Sequence, residues 1–140
     1  MRKLGNILLL ITAFILHACG GRTAQTKQDP PEAVVEAFNR AITAGDFDKA
    51  ESLCDKAMMK DYLDSYKEAW EGLSAEDSSA LAIASSILSE AILDITDIRK
   101  ADDKRIVCYT LEADGHRKER SATVRKEDER WIVERITDRI

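Results

Sequence analysis

Residues Lys104 to Ile136, KRIVCYTLEADGHRKERSATVRKEDERWIVERI, are the scaffold on which the rest of the chain is expected to pack. This stretch contains three segments with the β-branched and aromatic content of strands. They are Lys104–Ala113, Arg117–Lys126 and Arg130–Ile136. Asp114-Gly115, between the first two, is a strong signal for a two-residue hairpin turn. The stretch therefore predicts an antiparallel meander.

A fourth strand is expected directly upstream of the meander. Ala91–Lys100 contains several β-branched residues, and Asp102-Asp103 provides a turn between it and the next strand. The Ala, Ser and Leu content just before this segment also allows a helix that continues to Asp94. Strand and helix both remain open for its first residues.

Helical periodicity dominates between residues 29 and 90. Asp29-Pro30-Pro31-Glu32 combines a capping residue, two prolines suited to a first turn and a glutamate that can complete a capping box. Boundaries between helices are expected at Gly45, Asp46, Gly72 and Ser74. The apolar stripes are Val34, Ala37, Phe38, Ala41 and Ile42; Phe47, Ala50, Leu53, Cys54, Ala57 and Met58; Tyr62, Leu63, Tyr66, Ala69 and Trp70; and Ala80, Leu81, Ala84, Ile87 and Leu88. Helices followed by an antiparallel sheet define the α+β class.

The N-terminus has the features of a bacterial export signal. Arg2 and Lys3 precede an apolar run that is too short to span a bilayer, and Leu16-His17-Ala18-Cys19 resembles a lipobox. The resemblance implies a signal peptide over 1–18, removed when Cys19 receives lipid. The alternatives are an ordinary signal peptide with an unrelated cysteine, or an uncleaved anchor helix.

Residues 19–29 are predicted to form a flexible tether, because they are mostly small or polar, and 30–140 a single domain. The membrane is then a partner through the N-terminal lipid, and the domain faces the periplasm or the cell surface. Gly20 stands where an acidic residue would follow the cysteine, a pattern that resembles lipoproteins of the outer rather than the inner membrane.

Composition excludes several classes of function. The 140 residues carry a formal net charge of −5, which argues against a nucleic-acid partner. The chain has no glycine-rich phosphate loop, nucleophile elbow or metal-ligand spacing, so neither a cofactor nor a metal is expected. His116 follows the Asp114-Gly115 turn and is interpreted as a solvated loop residue.

Three segments together resemble small bacterial lipoproteins of the nuclear transport factor 2-like, or cystatin-like, superfamily. They are Pro31–Phe38 (PEAVVEAF), Ala44–Ala50 (AGDFDKA) and Lys126–Val133 (KEDERWIV). The resemblance implies a cone in which a curved antiparallel sheet wraps around helices, often with an open end that forms a pocket. Two departures stand out. Asp128-Glu129 replaces the usual Asp-Gly, which suggests a different turn type, and a bulge could absorb the out-of-phase step from Val133 to Ile136.

Enzymes of this superfamily use a buried carboxylate and hydrogen-bond donors inside the cone, which makes Asp94 and Asp97 candidates here. We interpret both aspartates as solvated surface residues in preference to catalytic ones. The candidate pocket-lining residues are the aromatic ones: Tyr62, Tyr66, Trp70, Tyr109 and Trp131. The sequence favours a non-catalytic module that binds a protein or a small apolar ligand. A small isomerase-like or hydrolase-like pocket enzyme is the alternative.

Cys54 and Cys108 are a candidate disulfide of the exported protein. Cys54 falls on an apolar helical stripe and Cys108 lies in the middle of a strand that the helix should cover. The alternative is two buried free thiols.

Overall fold

Four helices precede four strands in the computed structural model, which describes residues 29–76 and 78–139. The helices are α1 (Pro31–Thr43), α2 (Phe47–Ser52), α3 (Lys60–Glu76) and α4 (Ser78–Ser89). The strands are β1 (Ile92–Ala101), β2 (Lys104–Ala113), β3 (His116–Glu127) and β4 (Arg130–Asp138). The signal peptide and Cys19 lie outside the described residues, as does all of the tether except Asp29.

The strands form one antiparallel sheet in the order β1-β2-β3-β4, open and curved. The predicted α+β class and the three-strand meander are therefore confirmed. Because β1 begins at Ile92 and α4 ends at Ser89, the alternative of a helix continuing to Asp94 is wrong.

Two bulges interrupt the ladders of the edge strands. The register between β1 and β2 shifts at Ile95/Asp97, which leaves Thr96 as the extra residue. The register between β3 and β4 shifts beside Val124, where Glu134 is the extra residue between Val133 and Arg135. This second bulge is the one predicted from the alternation of β4, and it restores Ile136 to the apolar face.

The turn at Asp128-Glu129 differs from expectation. Both residues have positive φ, 48° and 64°, as do Asp114 (51°) and Gly115 (73°). The two hairpins therefore use the same left-handed backbone, and the predicted change of turn type is wrong. The right-handed twist of the strands favours such turns even where a glutamate must adopt them.

The core lies between the helices and one face of the sheet. α1 contributes Val35 and Phe38, and the facing strands contribute Val107, Val124 and Val133, all fully buried. The apolar stripe predicted for α1 is thus the face that packs on the sheet. The opposite face of the sheet is largely polar, because alternate residues of each strand point to it.

The start of α1 and the start of α2 differ in their caps. Pro30 is the N-cap of α1 and no side chain caps the helix, so the predicted role of Asp29 is wrong. Asp46 caps α2 as predicted, since its carboxylate accepts a hydrogen bond of 3.2 Å from the Lys49 backbone. Between them Gly45 has a φ of +72°, and the Trp70 ring lies 3.4 Å from where its Cβ would be.

α2 is much shorter than its apolar stripe suggested. The helix ends at Ser52 because the next residues pair with β4. Val133 donates to the Leu53 carbonyl at 2.9 Å, and Asp55 donates to the Val133 carbonyl at 2.8 Å. The prediction that helical structure continues to Met58 is therefore wrong.

α3 runs through Gly72, which was predicted to end it, and Ser74 lies inside the helix instead of starting the next one. Gly72 is exposed, so the helix loses only about 1 kcal/mol relative to alanine at this position. None of the helices in the described part of the chain is both long and apolar enough to cross a membrane.

Candidate functional site

A buried arginine forms the centre of the first candidate site. Arg120 is 8% exposed. It lies two residues before Ala122 and four before Val124 on β3, and both of these are fully buried. Residues at this spacing share one face of a strand, so the Arg120 side chain points into the layer between sheet and helices. A charge in such a position requires polar partners to offset the loss of hydration.

Three oxygens surround the Arg120 guanidinium. Nε donates to Asp138 Oδ1 at 2.8 Å, and Nη1 donates to the hydroxyls of Tyr62 and Tyr66 at 3.3 and 3.2 Å. The side chain of Asp138 is 67% exposed, so the ion pair extends from the buried layer out to solvent. Burial disfavours the charged guanidinium, but the surrounding oxygens outweigh it and raise the pKa of Arg120.

α3 positions the two tyrosines. Four residues apart, they lie one turn from each other on the same face of the helix, with ring centroids 5.0 Å apart. Tyr62 also packs against Phe38 of α1, at 6.0 Å between centroids. Burial raises the pKa of Tyr62, with a further contribution from Tyr66, so its hydroxyl stays protonated.

Tyr109 completes this polar cluster from β2. It is 1% exposed, and its hydroxyl has no hydrogen-bond partner among the described residues. Burial raises the pKa of Tyr109, while Asn39 and Arg120 oppose the increase. The Asn39 amide itself donates to the Val35 carbonyl at 2.9 Å. Tyr109 is therefore a buried polar group between α1 and Arg120.

Tyr62, Tyr66 and Arg120 line a cavity of about 350 Å³, called here the Arg120 site. Its other lining residues are Ser65, Ala69, Ile136 and Asp138. The prediction that Tyr62 and Tyr66 line a pocket agrees with this placement. Arg120 was not predicted, because it belongs to a mixed-charge segment interpreted as a solvated face. The available signal was that Arg120 lies two residues before Ala122 and four before Val124, and therefore on the same face of the strand as these apolar residues.

A second cavity of about 850 Å³, called here the α1–α4 cavity, lies between α1, α4 and the first two strands. Short side chains form much of its wall, including Ala44, Ala82, Ser85, Ser86 and Ala91. Leu88, Leu93 and Leu111 add apolar surface, and Glu36, Asn39, Arg40, Thr43 and Ser89 add polar groups. Because these side chains are small, the space between α1, α4 and the first two strands remains unfilled.

The other aromatic candidates lie elsewhere. Trp70 packs on Gly45. Neither Trp70 nor Tyr109 lines the Arg120 site or the α1–α4 cavity. Trp131 lines a separate hollow of about 190 Å³ beside the start of α1. Arg105 and Lys126 stack on its ring, at 5.4 and 5.2 Å from the centroid. The five candidate residues therefore do not form one pocket.

Asp94 and Asp97 are exposed on the polar face of β1, away from both cavities. Asp97 pairs with Arg99 at 2.7 Å, which lowers the pKa of its carboxyl. Glu134, the one carboxylate among the residues described as buried, forms an ion pair of 2.9 Å with Lys104 and lines neither cavity. Within the described residues no group of three or more potential metal ligands converges.

Cys54 and Cys108 are both buried and free in the structure. Cys54 belongs to the core between helices and sheet, whereas Cys108 lies between Val107 and Tyr109 and therefore points to the opposite face. The sheet separates the two thiols, which corrects the expectation that the covering helix brings them together.

We expect thiol counting in denaturant without reductant to find Cys54 and Cys108 both free. In the native protein, burial raises the pKa of the Cys54 thiol to about 11, so little thiolate is present at pH 8. Cys54 should therefore react slowly with a thiol reagent at pH 8 until the protein is unfolded. The absence of free thiols at both positions after denaturation would contradict the structure.

Comparison with known proteins identifies resemblances of fold. No protein-family model matches the chain, and no curated protein sequence matches it. The structure is similar to Bd1075 of Bdellovibrio bacteriovorus, with a TM-score of 0.51 and 13% identity over 76% of this chain. This chain covers 38% of Bd1075. An NTF2-like protein of unknown function from Cytophaga hutchinsonii has a TM-score of 0.45 and 9% identity, over 81% of this chain and 94% of its own.

Proposed function

We propose that this chain is a lipid-anchored, non-catalytic binding module of the bacterial cell envelope, in the lipoprotein branch of the nuclear transport factor 2-like superfamily. The α1–α4 cavity is the observation that carries this proposal. Its volume of about 850 Å³ lies within the range of roughly 300 to 1,000 Å³ occupied by small-molecule sites. Cys19 would hold the module at the membrane through its lipid.

The wall of the α1–α4 cavity is about equally polar and apolar, which favours an uncharged amphipathic ligand. Leu88, Leu93 and Leu111 offer apolar contact, while Ser85 and Ser86 can each make a hydrogen bond to a polar edge of the ligand. Burial of apolar ligand surface contributes about 25 cal/mol per Å² before the costs of association are subtracted. A small amphipathic molecule therefore fits this chemistry best.

The polar groups of the cavity favour binding over catalysis. Glu36, the carboxylate that lines it, is exposed to water. A general base in this kind of pocket requires a carboxylate whose pKa is raised by burial. Asp94 and Asp97, the candidates for that role, are exposed on the polar face of the sheet. Among the described residues, neither Glu36 nor Asp94 nor Asp97 therefore provides the buried carboxylate that the enzyme alternative requires.

We expect the Ser85→Trp variant to lose binding of the neutral fluorescent probe N-phenylnaphthylamine. Ser85 is half-buried and lines the α1–α4 cavity, so an indole there occupies the volume that the probe needs. A loss of at least about tenfold in affinity, or about 1.4 kcal/mol, is expected in fluorescence titrations of the full-length chain.

The matched control is Ile83→Trp, which places the same ring on the same helix. Ile83 is 62% exposed and does not line the cavity, so its variant should bind the probe as the wild type does. Equal binding by all three proteins would place the probe elsewhere. Absence of binding to the wild type would remove the support that this cavity gives to the proposal.

A further inference from the structure

The Arg120 guanidinium retains unused hydrogen-bonding capacity. Nε and Nη1 donate to Asp138, Tyr62 and Tyr66, but Nη2 donates to no residue in the described ranges. A guanidinium offers five donors in a rigid planar fork. Nη2 is not among the fully buried polar atoms that lack a partner, so it is open to the adjoining cavity, where a ligand can take the place of water as the acceptor of its hydrogen bonds.

We propose that the Arg120 site binds the carboxylate group of a small organic acid. A planar carboxylate can accept two parallel hydrogen bonds from a guanidinium, which a neutral ligand of the same shape cannot do as strongly. The Tyr66 hydroxyl accepts from Arg120 and therefore has its own proton available to donate. Ala69 and Ile136 provide apolar wall for the remainder of the acid.

Charge balance favours a carboxylate over a phosphate. Arg120 contributes one positive charge and Asp138, at 2.8 Å, contributes one negative charge. A doubly charged phosphate would meet stronger repulsion from Asp138 than a singly charged carboxylate would. Asp138 is 67% exposed and not enclosed by protein, so its side chain is free to yield its place to a ligand carboxylate.

The surface beside the site would attract anions. A cleft of about 470 Å³ shares Asp138 with the Arg120 site and is also lined by Arg117, Lys118, Glu119 and Arg139. The lining of this cleft therefore carries three positive charges and two negative ones. A local excess of positive charge raises the concentration of anions near a binding site and their rate of arrival. This site is distinct from the α1–α4 cavity, so the inference does not rest on the proposed function.

Titration calorimetry with benzoate and benzamide tests the carboxylate site. The two probes have the same shape and differ in charge. We expect the full-length chain to bind benzoate at least about tenfold more tightly than benzamide, and Arg120→Gln to abolish this preference. Equal affinity for the two probes, or benzoate binding that survives Arg120→Gln, would overturn the proposal. Inorganic phosphate that binds more tightly than benzoate would overturn the assignment to carboxylates.

The Asp138→Asn variant tests the same site through an expected increase in benzoate affinity, whereas Arg120→Gln is expected to reduce it. Removing the carboxylate that competes for Arg120 should tighten benzoate binding by about threefold or more. Asp138 is largely exposed, so this variant should fold even if Arg120→Gln does not. Asp94→Asn changes the net charge equally on the opposite face of the sheet, and should leave the affinity unchanged. An Asp138→Asn variant that binds benzoate no better than wild type would identify the cluster as a structural network only.

Discussion

Replacing Cys19 with alanine is expected to move the protein from the membrane fraction to the soluble fraction. The expectation rests on the lipobox-like Leu16-His17-Ala18-Cys19, which follows a basic start and an apolar run. Each methylene of an acyl chain that enters the bilayer contributes about 0.8 kcal/mol, so one chain anchors reversibly and several chains anchor firmly. Without Cys19 no residue would accept the lipid. Cell fractionation, together with the mass of the mature N-terminal residue, measures the effect.

The matched control is Cys108→Ala, the same substitution at a cysteine within the sheet. Its product should remain with the membrane. If the Cys19→Ala protein also remains there, and the wild-type N-terminus carries no acyl mass, then lipid anchoring is refuted. The cavities and the Arg120 site would be unaffected by that outcome, since they belong to the folded domain.

The largest expected effect on stability is that of Phe38→Ala. Phe38 is fully buried, lies where α1 meets the sheet and packs against Tyr62. Truncating a buried phenylalanine removes its transfer free energy and leaves a cavity, at a combined cost of about 3 to 5 kcal/mol. Since domains of this size have unfolding free energies of about 5 to 15 kcal/mol, much of the stability would be lost. Urea denaturation measures the change.

Phe47→Ala is the matched control, because Phe47 is the same residue type but only partly buried at the edge of the core. It should cost clearly less than Phe38→Ala. If the two variants lose equal stability, the centre of the core is not where the structure places it. Tyr62 makes the comparison relevant to function, because the ring that Phe38 supports also forms part of the Arg120 site.

Local sequence patterns predicted the sheet well. Alternation and the Asp114-Gly115 turn gave the boundaries of Lys104–Ala113 unchanged, and the broken alternation after Val133 correctly indicated a bulge. Such features depend on residues close together in sequence. The cap at Asp46 was predictable for the same reason, since its carboxylate bonds a backbone group three residues away.

Distant contacts explain why the predicted length of α2 was wrong. The apolar stripe beyond Ser52 was consistent with a helix, but Leu53 and Asp55 instead pair with Val133, some eighty residues later in the chain. Asp55 is also held by Arg125 at 2.8 Å, and this ion pair lowers the pKa of its carboxyl. No local pattern carries information about these partners.

The Arg120 site was only half predictable for a related reason. Tyr62 and Tyr66 were candidates because an aromatic pair at helical spacing can form one wall of a pocket. Their contact with Arg120 joins residues 58 and 54 positions apart and depends on how α3 packs on β3. The α1–α4 cavity was not predicted at all, because it arises from small side chains such as Ser85 and Ala82, which lack a distinctive pattern.

Mapping of amide NMR shifts during titration with N-phenylnaphthylamine shows whether the domain binds small molecules in the α1–α4 cavity. We expect the largest shifts at residues on the cavity wall, such as Thr43, Ser85, Ser86, Leu93 and Leu111. Shifts that cluster around Trp131, or no shifts at saturating probe, would contradict it.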